Sequence, residues 1–317
     1  MKIVFLDAST VGEIPEMDLF RSLGEFKSYD FTNSSEVVSR LESAEIAVTN
    51  KVVIDKKVID HCPDLKLICV AATGTNNIDL DYASKKGIAV KNVKGYSTDS
   101  VVQHTFAMIF SLMNHIAYYD NYVKSGAYSS SVIFTCLDKP FFELSGKEFG
   151  IIGLGTIGKK VAEVARIFGA RVSYFSTSGL NNDSTFKRKE LNELVQESDI
   201  ISIHAPLNER TNHLISMEEF SLMKSSALLI NTGRGGIVDE KALVTALKNQ
   251  EIAGAALDVF NSEPLPLHHI LYSEPSIMNK LLLSPHIAWA SQEARGRLLK
   301  GIFQNIQEYQ KNKTKLL

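Results

Sequence analysis

Three side chains in the last third of the chain could together run acid–base and anion chemistry. Arg234 stands in Asn231-Thr232-Gly233-Arg234-Gly235-Gly236, just past the apolar run Ala227–Ile230. Glu263 stands in Asp258-Val259-Phe260-Asn261-Ser262-Glu263-Pro264, past Gly254–Leu257. His286 stands in Leu283-Ser284-Pro285-His286-Ile287-Ala288-Trp289, past a third apolar run. Polar residues just beyond the C-terminal ends of strands are where open α/β sheets bind ligands. Arginine offers a planar fork of donors that fits a carboxylate and the carbonyl beside it. Histidine titrates near neutral pH and can hand a proton to a developing alkoxide, and a neighbouring carboxylate favours its cationic form. The set suits reduction of a 2-keto acid. Singly, each has a plainer reading: a surface arginine, an exposed turn glutamate, a satisfied loop histidine. In three successive strand-end loops, behind a dinucleotide fingerprint, the plain readings lose.

That fingerprint is Gly153-Leu154-Gly155-Thr156-Ile157-Gly158, a G-x-G-x-x-G. Alone the pattern is weak. Here the apolar run Phe149–Ile152 precedes it and a helical pattern, Lys159–Phe168, follows. The first glycine permits a tight turn, the second lets backbone approach a pyrophosphate, and the third lets helix and strand pack closely. The pyrophosphate would rest on free N–H groups at the positive end of the helix. The next strand, Arg171–Phe175, should end on the residue that meets the adenosine ribose, usually Asp or Glu in NAD binders. It runs instead into Ser176-Thr177-Ser178-Gly179. Three hydroxyls could bond either a ribose or a 2′-phosphate, and Lys187 and Arg188 lie further along. The choice between NAD and NADP stays open.

Elements must place these groups. Short apolar runs at Ile3–Asp7, Ile46–Thr49, Leu67–Val70 and Ile88–Lys91 alternate with helical pieces at Glu36–Leu41, Lys56–His61 and Tyr82–Lys86. A second series has candidate strands at Phe149–Gly153, Arg171–Phe175, Ile200–His204, Ala227–Asn231 and Gly254–Asp258, with helices at Ile157–Phe168 and Glu240–Lys248. Such alternation predicts βαβ units and parallel sheets. Between the series, Val102, Thr105, Phe106, Ile109, Leu112, Met113 and Ile116 mark one long helix. Ser100 and Gln103 resemble a capping box at its start. The stripe reads as a core or interdomain helix, or as a dimer interface. A last helix is expected over Ser291–Glu308, followed by a polar tail, Gln310–Lys315.

Composition bounds the rest. A chain of 317 residues, 44% hydrophobic and 22% charged, is ordinary globular protein of two domains. The charge sum, 34 − 36 = −2, gives no basic field for nucleic acid or an anionic membrane. Cys62, Cys69 and Cys136 lack metal-type spacing, so neither a disulfide framework nor a metal is expected. The apolar N-terminal run is too short for a signal peptide, and no apolar stretch is long enough to span a bilayer. A cytoplasmic location is expected.

Taken in order along nearly the whole chain, the segments resemble the D-isomer-specific 2-hydroxyacid dehydrogenases. The matching stretches are Ala71–Asp79, Gly153–Gly158, His204-Ala205-Pro206-Leu207, Asn231–Glu240, Ala255–Pro264 and Pro285–Trp289. Gly95–Thr105 and Ser176–Gly179 look most like the glycerate dehydrogenase (hydroxypyruvate reductase) branch. The resemblance implies two doubly wound parallel-sheet domains, a flavodoxin-like substrate domain and an inserted Rossmann coenzyme domain. Residues 1–98, completed by 290–317, would form the first, and residues 99–289 the second. It implies that Arg234 and Glu263 are catalytic, that His286 is the proton donor or acceptor, and that Thr73, Gly74 and Arg234 hold the substrate. Cofactor contacts would come from Thr73, Gly153, Gly155, Thr156, Ile157, Gly158, Ser176, Thr232, Asp258 and His286. The implied reaction is reversible hydride transfer between NAD(P)H and a small 2-keto acid, with hydroxypyruvate and D-glycerate first in order, by a homodimer. Two departures stand out. Ser176 replaces the usual Asp, which puts strict NAD preference in doubt, and Asn76 replaces an Asp common in the family. The rival from another class is a dinucleotide-sensing, co-repressor-like regulator with little turnover. Formate dehydrogenases carry Gln where this chain has Glu263, and phosphoglycerate dehydrogenase is also disfavoured.

Overall fold

In the computed structural model the chain divides into two compact units, Met1–Ser97 with Trp289–Leu317, and Thr98–Ala288. The structure describes residues 1–272 and 274–315, so residues 316–317 of the expected C-terminal segment lie outside the described residues.

The first unit is built on β1 (Lys2–Phe5), β2 (Glu25–Ser28), β3 (Ile46–Thr49), β4 (Leu67–Val70) and β5 (Ala89–Asn92). All are parallel, in the order β2-β1-β3-β4-β5, the flavodoxin-like arrangement. Its helices α1 (Val37–Arg40), α2 (Lys56–His61) and α3 (Leu80–Lys85) follow β2, β3 and β4. Asp55 and Asp79 start α2 and α3 by accepting the N–H groups of Val58 and Tyr82, each at 3.0 Å. The sheet is buried on both faces, so its central strands read as unbroken apolar runs. Alternate side chains nevertheless divide cleanly. Val4, Ala47, Ile68 and Val70 pack with Val37, Val58, Ile59 and Ala83 on one face, while Ile3, Phe5, Ile46, Val48, Leu67 and Cys69 turn to the other.

The second unit opens with α4 (Thr98–Met113) and α5 (Ile116–Lys124). It continues through β6 (Glu148–Ile152), α6 (Thr156–Ile167), β7 (Arg171–Phe175), β8 (Lys187–Arg188), α7 (Leu191–Glu197), β9 (Ile200–Ile203), α8 (Met217–Leu222), β10 (Leu228–Asn231), α9 (Glu240–Lys248), β11 (Gly254–Leu257) and β12 (Leu281–Leu283). The strands are parallel in the order β12-β11-β10-β9-β6-β7-β8. This is the Rossmann order with one strand added, and its direction reverses between β6 and β9. Helices α7, α8 and α9 cover one face, and α4 and α6 the other.

The long helix predicted between the two series is two helices. His115 adopts a left-handed φ of 50°, which ends the first, and Ile116 begins the second with its side chain exposed. Of the predicted stripe, Val102, Phe106 and Ile109 lie in the core of the second unit, with Leu112 and Met113 packed against them and Phe106 stacked at 6.3 Å on Phe149. The capping box is also corrected. The helix starts at Thr98, so Ser100 lies inside its first turn, where its hydroxyl donates to the carbonyl of Ala288 at 2.6 Å.

The final helix, α10 (Gln292–Lys315), returns to the first unit. Ala294, Leu298, Leu299, Ile302 and Ile306 cover the face of the five-stranded sheet opposite α1, α2 and α3. It runs past Glu308, so the expected polar tail is a continuation of the helix. The Tyr309 hydroxyl donates to Glu45 at 2.9 Å and the Gln310 amide to the Leu23 carbonyl at 2.8 Å, which holds this last stretch.

Candidate active site

Each of the three chemical residues follows a strand of the second sheet. Arg234 comes three residues after β10 ends on Asn231, whose side chain shapes the turn. Gly233 N–H donates to Asn231 Oδ1 at 3.0 Å, and Asn231 Nδ2 donates to the Arg234 carbonyl at 2.9 Å. The turn is fixed at both ends by one buried amide. Arg234 Nη1 donates to the Gly233 carbonyl at 2.7 Å. Gly235 then touches the next loop so closely that a Cβ there would fall 1.9 Å from the carbonyl carbon of Phe260. No other residue fits without moving the Arg234 turn away from the loop that bears Glu263.

That second loop is held from inside. Glu263 Oε1 accepts Phe260 N–H at 3.0 Å, and Glu240, buried at the start of α9, accepts Asn261 N–H at 2.9 Å. The other oxygen of Glu240 meets His269 Nε2 at 3.2 Å. Glu263 Oε2 lies 2.6 Å from His286 Nδ1, so the ring donates its Nδ1–H to the carboxylate. This fixes the ring and leaves Nε2 as the nitrogen that can meet a substrate.

The loop bearing His286 hangs on Asp258, at the end of β11. His286 itself is left-handed, with φ of 55°, and its N–H donates to the Asp258 carbonyl at 2.8 Å. The fully buried Asp258 carboxylate accepts Ser284 Oγ–H at 2.6 Å and the N–H groups of Ile287 and Ala288, each at 2.8 Å. His104 on α4 completes the cluster, with Nε2 at 3.0 Å from Ser284 Oγ. Neither Asn231, Glu240, Ser284 nor His104 stands out as a site residue in the sequence. The nearest signal is the pair Asn231 and Gly235 flanking Arg234, a polar cap and an obligatory glycine in one turn.

The glycine turn lies at the end of β6, beside the point where strand order reverses. Gly153 has φ of 92° and sits against Ala205, and a Cβ on Gly158 would strike the Gly153 carbonyl at 2.1 Å. Gly155 faces open space, and as the residue before α6 it supplies no side-chain cap to the helix. The amides of the first turn of α6, at Thr156 and Ile157, are therefore free to meet an outside acceptor. The residues present fit a dinucleotide pyrophosphate. Ser176 is buried, its oxygen accepting Asn181 N–H at 3.3 Å, while Asn181 Nδ2 donates to the Leu154 carbonyl at 3.0 Å and ties this loop to the glycine turn. Thr232 Oγ1 lies 3.2 Å from Thr105 Oγ1. Thr73 and Gly74 belong to the first unit, just beyond β4. The Asn92 side chain donates to the Thr73 carbonyl, and Thr73 Oγ1 donates to the Val93 carbonyl at 3.3 Å.

The profile of the D-isomer specific 2-hydroxyacid dehydrogenase NAD binding domain matches residues 106–288. Glycerate dehydrogenase of Methylorubrum extorquens is 38% identical over 97% of this chain and 96% of its own. Hydroxypyruvate reductase of Blautia hydrogenotrophica is 34% identical over 98% and 97%. Among solved structures, D-lactate dehydrogenase of Aquifex aeolicus, complexed with NAD and lactic acid, superposes with a TM-score of 0.83 at 28% identity, covering 99% of this chain and 96% of that one. The chain belongs to the D-isomer specific 2-hydroxyacid dehydrogenases. It is an NAD(P)-dependent oxidoreductase acting on 2-hydroxy acids. No described helix is long and apolar enough to cross a membrane.

Proposed function

We propose that the chain reduces hydroxypyruvate to D-glycerate and acts reversibly on related small 2-keto acids, with Arg234, Glu263 and His286 as its catalytic residues. The observation that carries this reading is the 2.6 Å contact between Glu263 and His286 Nδ1, which leaves Nε2 to face a substrate oxygen. The guanidinium of Arg234 grips the carboxylate and the 2-keto oxygen. When bound, the nicotinamide dinucleotide supplies the hydride. His286, charged and donating Nδ1–H to Glu263, gives its Nε2 proton to the substrate oxygen and keeps the Nδ1 proton. In the reverse direction neutral Nε2 takes the hydroxyl proton. Gly153, Gly155, Thr156, Ile157 and Gly158 would hold the pyrophosphate, with Ser176 toward the ribose and Thr232 and the His286–Ala288 loop toward the nicotinamide. Asp258 contributes by holding that loop. Hydroxypyruvate is favoured by the likeness to the two relatives above, each aligned over nearly its whole length. The test is a matrix of hydroxypyruvate, glyoxylate and pyruvate against both reduced cofactors, followed at 340 nm. Hydroxypyruvate should give the highest kcat/KM, and no turnover with any pair would overturn the reading.

The same reading extends to assembly. Beyond α4 the chain exposes a run of large apolar side chains at Ile116, Val123, Val132, Ile133, Phe134 and Leu137, with Phe134 89% exposed. A patch of this kind fits a twofold interface with a second copy.

A further inference from the structure

The loop that meets the adenosine end of the dinucleotide holds a cation that nothing in the site described so far uses. Lys187, Arg188 and Lys189 follow one another along the edge strand β8 and just past it. The two lysines are spoken for, Lys187 by Glu193 at 3.4 Å and Lys189 by Glu197. Arg188, between them, has no carboxylate partner among the described residues. It pairs across the ladder with Tyr174, two residues before Ser176, and its Nη1 donates to the Gly179 carbonyl at 3.1 Å. That single bond folds the guanidinium back onto the Ser176–Gly179 turn and leaves its other donors uncommitted.

The turn itself carries no negative charge. Ser176 stands at the position where a carboxylate would bond the ribose hydroxyls and repel a phosphate. Ser178 is exposed, and its oxygen accepts Leu180 N–H at 3.2 Å, which leaves its O–H to donate. The first acid along the loop, Asp183, is neutralised by Lys159 Nζ at 2.7 Å. That ion pair and the Thr185 N–H hold its carboxyl down at about 2. A hydroxyl-lined turn, an absent carboxylate and an unpaired planar fork converge on one ligand chemistry, a phosphate monoester dianion.

We infer that Arg188, with the hydroxyls of the Ser176–Gly179 turn, is the receptor for the adenosine 2′-phosphate, and that the chain therefore favours NADPH over NADH. This rests on the dehydrogenase reading above only for the dinucleotide it binds, not for its substrate. Binding is measured directly on the full chain by calorimetry, with NADPH, NADH, 2′,5′-ADP and 5′-ADP as probes. NADPH should bind at least about tenfold more tightly than NADH, and 2′,5′-ADP more tightly than 5′-ADP, the scale of one hydrogen-bonded charge pair. Both preferences should weaken with added salt. In Arg188→Ala the NADPH-to-NADH affinity ratio should fall toward one, and in Arg188→Glu it should invert. Equal or tighter NADH binding by the unaltered chain would overturn the inference. So would an equal loss of both affinities in Arg188→Ala, the mark of a merely structural role for the Gly179 contact. Selective NADPH binding without turnover of any 2-keto acid would leave this inference standing and remove the substrate reading. Binding of neither dinucleotide would overturn both.

Discussion

At the scale of single residues the site rests on a division of labour among three carboxylates. Glu263 touches the His286 ring, Glu240 holds the loop that presents Glu263, and Asp258 holds the loop that presents His286. Only the first is placed to influence the proton itself. His286→Gln keeps polarity but removes the transferable proton, and it should lower kcat about 10²–10⁴-fold with a much smaller change in KM for keto acid. Steady-state kinetics on the variant checks this, and a near-normal kcat would remove His286 from the role. Arg234, Glu263 and His286 were legible in the sequence because each lies just past an apolar run and is of a chemically expressive type. Asn231, Glu240 and His104 were not. Their roles come from hydrogen bonds that only folding brings about, as where Asn261 N–H donates to Glu240 or where the His104 ring meets the hydroxyl of Ser284, distant in the chain.

At the scale of elements, legibility followed burial. Strands β3, β4 and β7 and helices α2 and α9 match the sequence reading residue for residue, because buried parallel strands and striped helices write continuous or periodic apolar patterns. The edge strands β2 and β8 escaped it. Glu25-Phe26-Lys27-Ser28 and Lys187-Arg188 are mostly exposed, and edge pairing leaves little apolar signature. The break between α4 and α5 was hidden for another reason, since a single left-handed residue interrupts hydrogen bonding without disturbing the hydrophobic period. One element end carries a pH prediction. Just past β9, His204 Nε2 lies 2.9 Å from the buried Ser202 hydroxyl, and burial pushes the imidazole down to about 3. As pH falls below about 6.5, the unfolded chain takes up a proton that the folded chain refuses. Stability should therefore decline by no more than about 1.4 kcal/mol per pH unit until about pH 3, then level off. Thermal unfolding between pH 4 and 7 should show a steeper fall for the unaltered chain than for His204→Asn. Parallel curves would contradict the assignment.

At the scale of the whole molecule, the exposed apolar run beyond α4 gives the sharpest expectation about assembly. Light scattering should report a dimer. Phe134→Asp, which places a charge in that run, should shift it toward monomer at micromolar concentration, and an unchanged mass would direct attention to another surface. The division of the chain has a further consequence, for synthesis. The first sheet cannot close its second face until α10 supplies Ala294, Leu298, Leu299, Ile302 and Ile306, and the whole of Thr98–Ala288 is made in between. At ordinary elongation rates that gap lasts on the order of 10–40 s. The second unit has its sequence complete and can fold on the ribosome, while Ile3, Phe5, Ile46, Val48 and Leu67 wait uncovered. The strands of the first unit, made before the second unit, are thus protected only after it. Nascent chains arrested before α10 should be cut by protease in residues 1–97 and resist it in residues 98–288, with chaperone demand concentrated in that interval.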